Sequence, residues 1–440
     1  MLRVFFMICL LGCILSASSP YERGLIALER GKYKDAIELF NRAISLDPKD
    51  VNAYMKRAEA FCSQDNSEDC AKDYFKAADI DKSNPVPYYK LGDLYKKTGD
   101  LENAFKYYTK AIETDPKYTN SYINRGVLYD NIGEYEKAIT DYTNALKIDE
   151  NLPFAYNNRG VVYKTLKEYD KAIADYNQAI KIAPNFPMAY RNRGDVYLIL
   201  DKYDKTIADY SKAIKLVPSF SIVYCSRAQA YINTGKKEAA LKDFERAITY
   251  DPNKQCIYLK RANFYKSLGE YQNAVDDYTK LIKLEGEKAS PNLYTNLAFS
   301  LSELNRHKEA IEVYEKALEL GGNETALIYR NIAVSYGKLN DYKKAIVFYS
   351  KLIKEDTLNA EAYSSRGFAY WTFDDFPNAI ADFSKAIELN PNYTSAYINR
   401  SGVYFQAGDN KKASNDAKKA CELGDCKSLE YLKKRGAFVE

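Results

Sequence analysis

A chain of 440 residues with 46% apolar and 28% charged residues and a net charge of +4 describes a folded protein without the basic excess that nucleic acid demands. One histidine and one tryptophan stand against 41 tyrosines, so the usual general base and the usual metal ligand are almost missing; neither a metal centre nor a cofactor is expected. His307 lies in Leu304-Asn305-Arg306-His307-Lys308-Glu309 between two helical runs, the setting of a solvated turn residue.

Residues 1–18 carry Arg3 as their only charged side chain, an apolar run from Val4 to Leu15, and a small-residue end, Ser16-Ala17-Ser18. This is the pattern of a cleavable secretory signal. The run falls short of the roughly 18 to 20 residues that a membrane span requires. Leu10-Leu11-Gly12-Cys13 resembles a bacterial lipoprotein box, in which the cysteine becomes the lipidated first residue. Leu11 is larger than that box usually holds and Ile14-Leu15 follow it, so cleavage near Ser18 stands as the other reading. Both place the chain outside the cytoplasm, in the periplasm, the outer envelope or the secreted space, with a lipid on Cys13 as the one route to a membrane. Ser19-Pro20-Tyr21-Glu22 then reads as a helix start, with a serine cap, a proline at the first helical position and a glutamate placed to return the hydrogen bond.

From there one unit accounts for the length. Segments starting at Ala17, Val51, Pro85, Thr119, Pro153, Pro187, Ser221 and Gln255 superpose at a 34-residue step. After the extra residues Ala289 and Ser290 the pattern resumes at Pro291, and with one further insertion at Ala326, Ala360 and Thr394, which makes twelve units. Residues 19–426 hold them, and 427–440 read as a short capping helix and tail. Each unit contains two helical patterns around a turn, as in Tyr122 to Ile132, Gly133-Glu134 and Tyr135 to Ile148. Small residues recur at the eighth place (Gly24, Gly92, Gly126, Gly160, Gly194, Gly367), alanine at the twentieth (Ala36, Ala104, Ala138, Ala172, Ala379) and an aromatic at the twenty-fourth (Phe40, Tyr108, Tyr142, Tyr176, Tyr210, Phe383). Two helices approach closely only over small side chains, and the rings fill the space beside the next unit, so most of the tyrosines belong to the core. Thr206, Cys70 and Ala417 depart from the pattern.

These residues resemble tetratricopeptide repeats. The resemblance implies an all-α fold, a right-handed superhelical solenoid of antiparallel helix pairs closed by the short C-terminal helix. It leaves no room for a catalytic domain, and the chain is expected not to be an enzyme.

A second regularity pairs the seventh and twenty-third places. Arginine meets aspartate there in eight units, among them Arg125 with Asp141, Arg159 with Asp175 and Arg193 with Asp209. Three units are apolar at both places: Leu91 with Tyr107, Leu297 with Val313, and Ile332 with Phe348. Joint replacement is what a partly buried structural ion pair predicts, because a stranded charge costs about 3–5 kcal/mol while an apolar pair is tolerated. The first unit breaks the rule with Arg23 and Leu39.

The resemblance further implies that the first helices line a concave groove. Its sixth place carries Asn124, Asn158, Asn192, Asn296, Asn331 and Asn399. This row looks like the asparagine ladder in the tetratricopeptide domain of O-linked N-acetylglucosamine transferases, where each amide offers a donor and an acceptor to an extended peptide. The other reading is asparagine bonding locally. Near the C-terminal end Phe368, Trp371, Ile398 and Phe405 make the groove apolar, either as a partner site or, for Trp371, as a ring folded over Gly402. Groove charges are mixed in sign and decide nothing.

Six cysteines lie beyond Cys13. Cys62 and Cys70 can meet across a turn, and Cys421 and Cys426 flank the Gly424 turn, which in an oxidising compartment points to disulfides; plain packing is the alternative. The expected function is a non-enzymatic interaction scaffold of the cell envelope or secreted space that binds extended peptides or partner proteins. An accessory that binds cell-wall or surface carbohydrate beside an enzyme is the alternative.

Overall fold

The computed structural model describes residues 19–322 and 324–439, so residues 1–18, read above as a secretory signal, and Cys13 with them, lie outside the described residues. Within them every regular element is helical. The described residues form two compact units, divided between Ala240 and Leu241, and each is a stack of antiparallel helix pairs in which a helix packs on its hairpin partner and then on the pair that follows. The first pair is Pro20–Glu29 with Tyr33–Leu46, and the twelfth is Thr394–Gln406 with Asn410–Glu422. A last helix, Lys427–Lys434, packs on the twelfth pair. The two extra residues before repeat 9 follow a 3-10 turn, Gly286–Lys288, and Ala289 is buried there, so the insertion is absorbed without loss of packing.

Local chemistry explains the punctuation. At the start, the Ser19 Oγ accepts from the Glu22 backbone N–H at 3.2 Å and the Glu22 carboxylate accepts from the Ser19 N–H at 2.8 Å, which closes the capping box. The turn between the two helices of a repeat always passes through one left-handed residue at its fifteenth place, with φ between 54° and 82°. Glycine takes that place in half the repeats; Asp65, Asp201, Asn305, Asn340 and Asp374, which tolerate it better than most side chains, and Lys167 take the rest.

The hairpin itself is built on close approach. A Cβ placed on Gly92 would come within 2.5 Å of the Tyr108 ring, and one on Gly160 within 2.7 Å of the Tyr176 ring. Both rings are fully buried, as are Tyr142, Tyr210 and Phe383 at the same place. Thr206 and Cys70, where alanine is usual, are also fully buried, and both are small enough for the crossing.

Arginine then ties the hairpin together. Arg125 Nε and Nη2 donate to the two carboxylate oxygens of Asp141, each at 2.8 Å, and Arg159 forks Asp175 in the same way at 2.8 and 2.7 Å. Arg57, Arg193, Arg261, Arg366 and Arg400 repeat the geometry. The remaining nitrogen reaches backwards: Arg125 Nη1 donates to Thr109 Oγ1 at 2.9 Å, Arg193 to Asn177 Oδ1 at 2.6 Å, and Arg400 to Ser384 Oγ at 2.7 Å, each acceptor being at the twenty-fifth place of the preceding repeat. Tyrosines flank the guanidinium, as Tyr156 and Tyr163 flank Arg159. In the Arg159 pair the Asp175 hydrogen bond outweighs desolvation and holds the arginine above its ordinary pKa, so the ion pair stays charged.

Two disulfides clip hairpin turns. Cys62 is bonded to Cys70 across the turn of repeat 2, and Cys421 to Cys426 between the last repeat and the capping helix. Asp175→Ala, which strands Arg159, should cost about 3–5 kcal/mol in urea unfolding. The double change Arg159→Leu with Asp175→Tyr copies repeat 3 and should cost clearly less. Cys62→Ala with Cys70→Ala should cost about 2–3 kcal/mol for so short a loop, read from the same unfolding curves, and reductant, which also opens Cys421–Cys426, should cost at least as much.

Candidate functional site

Within each unit, successive first helices also pack on one another, as Thr119–Asn131 does on Pro153–Thr165 and Ala360–Trp371 on Thr394–Gln406, whereas second helices do not come as close. The second, fifth, sixth, ninth and twelfth places of neighbouring first helices therefore share one inner face. What that face offers is decided by what its side chains already hold.

In repeats 3 to 6 the asparagines turn sideways. Asn124 Nδ2 donates to Asp93 Oδ1 at 2.9 Å and to the Tyr89 hydroxyl at 3.0 Å, both in the preceding repeat. Asn192 is 6% exposed and donates to Asn157 Oδ1 at 2.9 Å, while Asn157 donates to Asn158 at 3.2 Å. Asn296 accepts from Lys266 at 2.8 Å, and Asn331 stands beside the buried Tyr314 hydroxyl, which burial pushes up to about 12. Asn124, Asn192 and Asn296 thus brace adjacent repeats, with donors used inside the protein at Asn124 and Asn192.

The ninth place completes this network, which the asparagine spacing alone does not reveal. Asp93 also accepts from the Tyr108 hydroxyl at 2.6 Å, Asp195 from Tyr210 at 2.7 Å, and Asn263 from Tyr278 at 2.6 Å. Burial and the hydrogen bond to Asp93 raise the Tyr108 pKa far above the usual range, so the phenol stays a neutral donor. Each acid is also faced by cations: Lys96 lies 3.8 Å from Asp93, and Lys164 and Arg191 lie 3.7 and 3.8 Å from Asp195. An acid or amide at the ninth place with tyrosine at the twenty-fourth was the available cue.

Repeats 10 to 12 look different. A cleft of about 430 Å³ opens between Val334, Tyr342, Tyr349, Ser365, Phe368 and Asn399, and Lys338 is the only charged residue that lines it. Phe368 is 43% exposed and meets Tyr342 and Trp371 edge to face. Trp371 is half-buried: it lies over Gly402, where a Cβ would meet the indole at 2.6 Å, and its Nε1 donates to Gln406 at 2.6 Å. Phe405 packs edge to face on Tyr431 of the capping helix. Ile398 is half-buried between them in sequence, on the helix that carries Asn399. The four apolar residues therefore divide. Phe368 lines the cleft beside Asn399, Trp371 and Phe405 are braced by their neighbours, and Ile398 does not line the cleft. Among the described residues no three His, Cys, Asp or Glu side chains converge, and no helix is long and apolar enough to cross a membrane.

Family models of the tetratricopeptide repeat match residues 153–186, 187–220, 221–254 and 360–393. Related repeat models match 24–65 and 131–167, 289–354, 87–118 and 257–288, and 107–140. The chain belongs to the tetratricopeptide-repeat family, whose members are generally non-enzymatic scaffolds for protein–protein interaction. No curated protein matches it. Among solved structures it is similar to MamA (28% identity, TM-score 0.35, covering 39% of this chain and 93% of that one). It is also similar to YrrB, described as a TPR protein with an unusual peptide-binding site (21%, 0.37, 42% and 96%). A tetratricopeptide repeat protein from Parabacteroides merdae gives 20%, 0.40, 65% and 98%.

The brace makes a specific demand. Asn192→Ala leaves the buried Asn157 carbonyl without its donor and should cost about 1–3 kcal/mol in stability, measured by urea unfolding, without changing which partners are retained.

Proposed function

We propose that the protein is an exported scaffold that holds an extended segment of a partner protein against the first-helix face of repeats 10 to 12. The exposed Phe368 beside an open, almost uncharged cleft carries this reading. A large ring held at the surface by edge-to-face neighbours loses little freedom on binding and releases much water, the profile of an interface anchor. Tyr349, Ser365 and Asn399 supply hydrogen-bonding groups at the cleft wall for the backbone of such a segment. Export is supported by the apolar N-terminal run and by two disulfides, which persist in an oxidising compartment.

Crosslinking in the native envelope, followed by capture and mass spectrometry, tests both parts. Phe368→Ala should fold with an unchanged unfolding midpoint and lose a defined set of partners by about tenfold or more. An unchanged set would reject the cleft, and retention of isolated wall polymer instead of protein would favour the carbohydrate accessory. The N-terminal peptide of the captured chain should begin near Ser19 or at a lipidated Cys13; an intact Met1 would reject export.

A further inference from the structure

One acid on the first-helix face has no partner. Asp130, at the twelfth place of repeat 4, forms no side-chain hydrogen bond and no ion pair, although it is half-buried. Burial lifts its carboxyl above the ordinary aspartate range. Asp93 and Asp195 on the same face are each met by lysine or arginine and by a tyrosine hydroxyl.

The surroundings of Asp130 explain the difference. At the junction of repeats 3 and 4, the Tyr108 hydroxyl and the Asn124 amide converge on Asp93. One repeat further on, the same places hold Tyr142, Asn158 and Val127, and valine accepts nothing. The Tyr142 side chain is fully buried and its hydroxyl has no hydrogen-bond partner; Asp130 is the strongest charge acting on it. Asn158 accepts from Asn157 but donates to nothing. Lys164, the next lysine along the face, is turned toward Asp195 of repeat 6. The junction therefore holds an unpaired carboxylate, a buried hydroxyl without a partner and an amide with a spare donor.

We infer that Asp130, backed by Tyr142 and Asn158, is a socket for a lysine or arginine side chain of the partner polypeptide. A half-desolvated anion is repaid best by a cation brought to it, which a neutral or acidic segment cannot supply. The inference rests on the proposed scaffold role, and adds to it a contact apart from the cleft of repeats 10 to 12: a basic residue of a partner, read at repeat 4.

The test uses the full mature chain and an array of random twelve-residue peptides, with each retained peptide resynthesised with citrulline or norleucine in place of its arginine or lysine. Peptides held by the wild-type protein should share a basic residue at one register, and its neutral replacement should weaken binding by about tenfold. Asp130→Asn should abolish that preference, and Asp130→Lys should turn it toward acidic peptides. Both changes lie on a partly exposed helix end, and circular dichroism checks that each variant is folded. Peptides bound equally by wild type and Asp130→Asn would overturn the socket and leave the scaffold reading intact. Retention of no peptide by the wild type would overturn both.

Discussion

The arginine at the seventh place is the interaction on which the stack depends. Two of its nitrogens fork the aspartate of its own hairpin and the third reaches a hydroxyl or amide of the repeat before it, so a single planar group fixes both the crossing of two helices and the register between repeats. A lysine could not do this, because it has no rigid fork. The glycine beneath the aromatic ring makes the arrangement feasible: by letting the helices close to contact, it brings arginine and aspartate within hydrogen-bonding distance and shields them from water. In repeat 3, where the arginine is missing, the whole set changes with it. Leu91 replaces it in repeat 3, Tyr107 takes the aspartate place, and Phe75 takes the polar place in the preceding repeat, where it meets Tyr107 edge to face.

The inner face divides its polar groups between holding itself together and holding something else. In repeats 3 and 4, Asn124, Tyr89, Tyr108 and Asp93 satisfy one another, which stabilises the junction and withdraws those groups from a ligand. In repeats 10 to 12 the ninth place carries Val334, Phe368 and Gly402, whose side chains accept no hydrogen bond, and a cleft opens. The same fold thus yields a closed surface or an open one according to which side chain occupies the ninth and twelfth places, and binding capacity can be distributed along the chain without altering a helix.

Much of this was legible before any coordinates. The 34-residue period, the glycine and aromatic places and the joint exchange of arginine and aspartate all follow from requirements that recur in every repeat, so they appear in the chain as repetition. The backward reach of arginine was harder to see, because Asn41, Thr109 and Ser384 look like ordinary surface residues until each is noticed to precede an arginine by 16 places. The asparagine row was visible but its direction was not: which way an amide turns depends on whether the preceding repeat offers an acceptor, as Asp93 does and Val127 does not. Trp371 was ambiguous for the same reason, since only the bond to Gln406 and the contact with Gly402 show how far it is held in place.

The capping helix bears on assembly. Ala417 occupies a place where other repeats carry a large ring, and the space is filled by Leu432 of the capping helix, which is 2% exposed; the Val439 N–H donates to Ser414 nearby at 2.9 Å, and the Cys421–Cys426 bond tethers the helix at its start. Every internal repeat offers its exit side to the repeat that follows, and an uncovered exit side would accept the first repeat of another copy as readily. A heterologous contact of that kind does not close, and it propagates into a fibre. Leu432 covers part of that exit side from within, which withdraws it from the head-to-tail contact on which such polymerisation would begin.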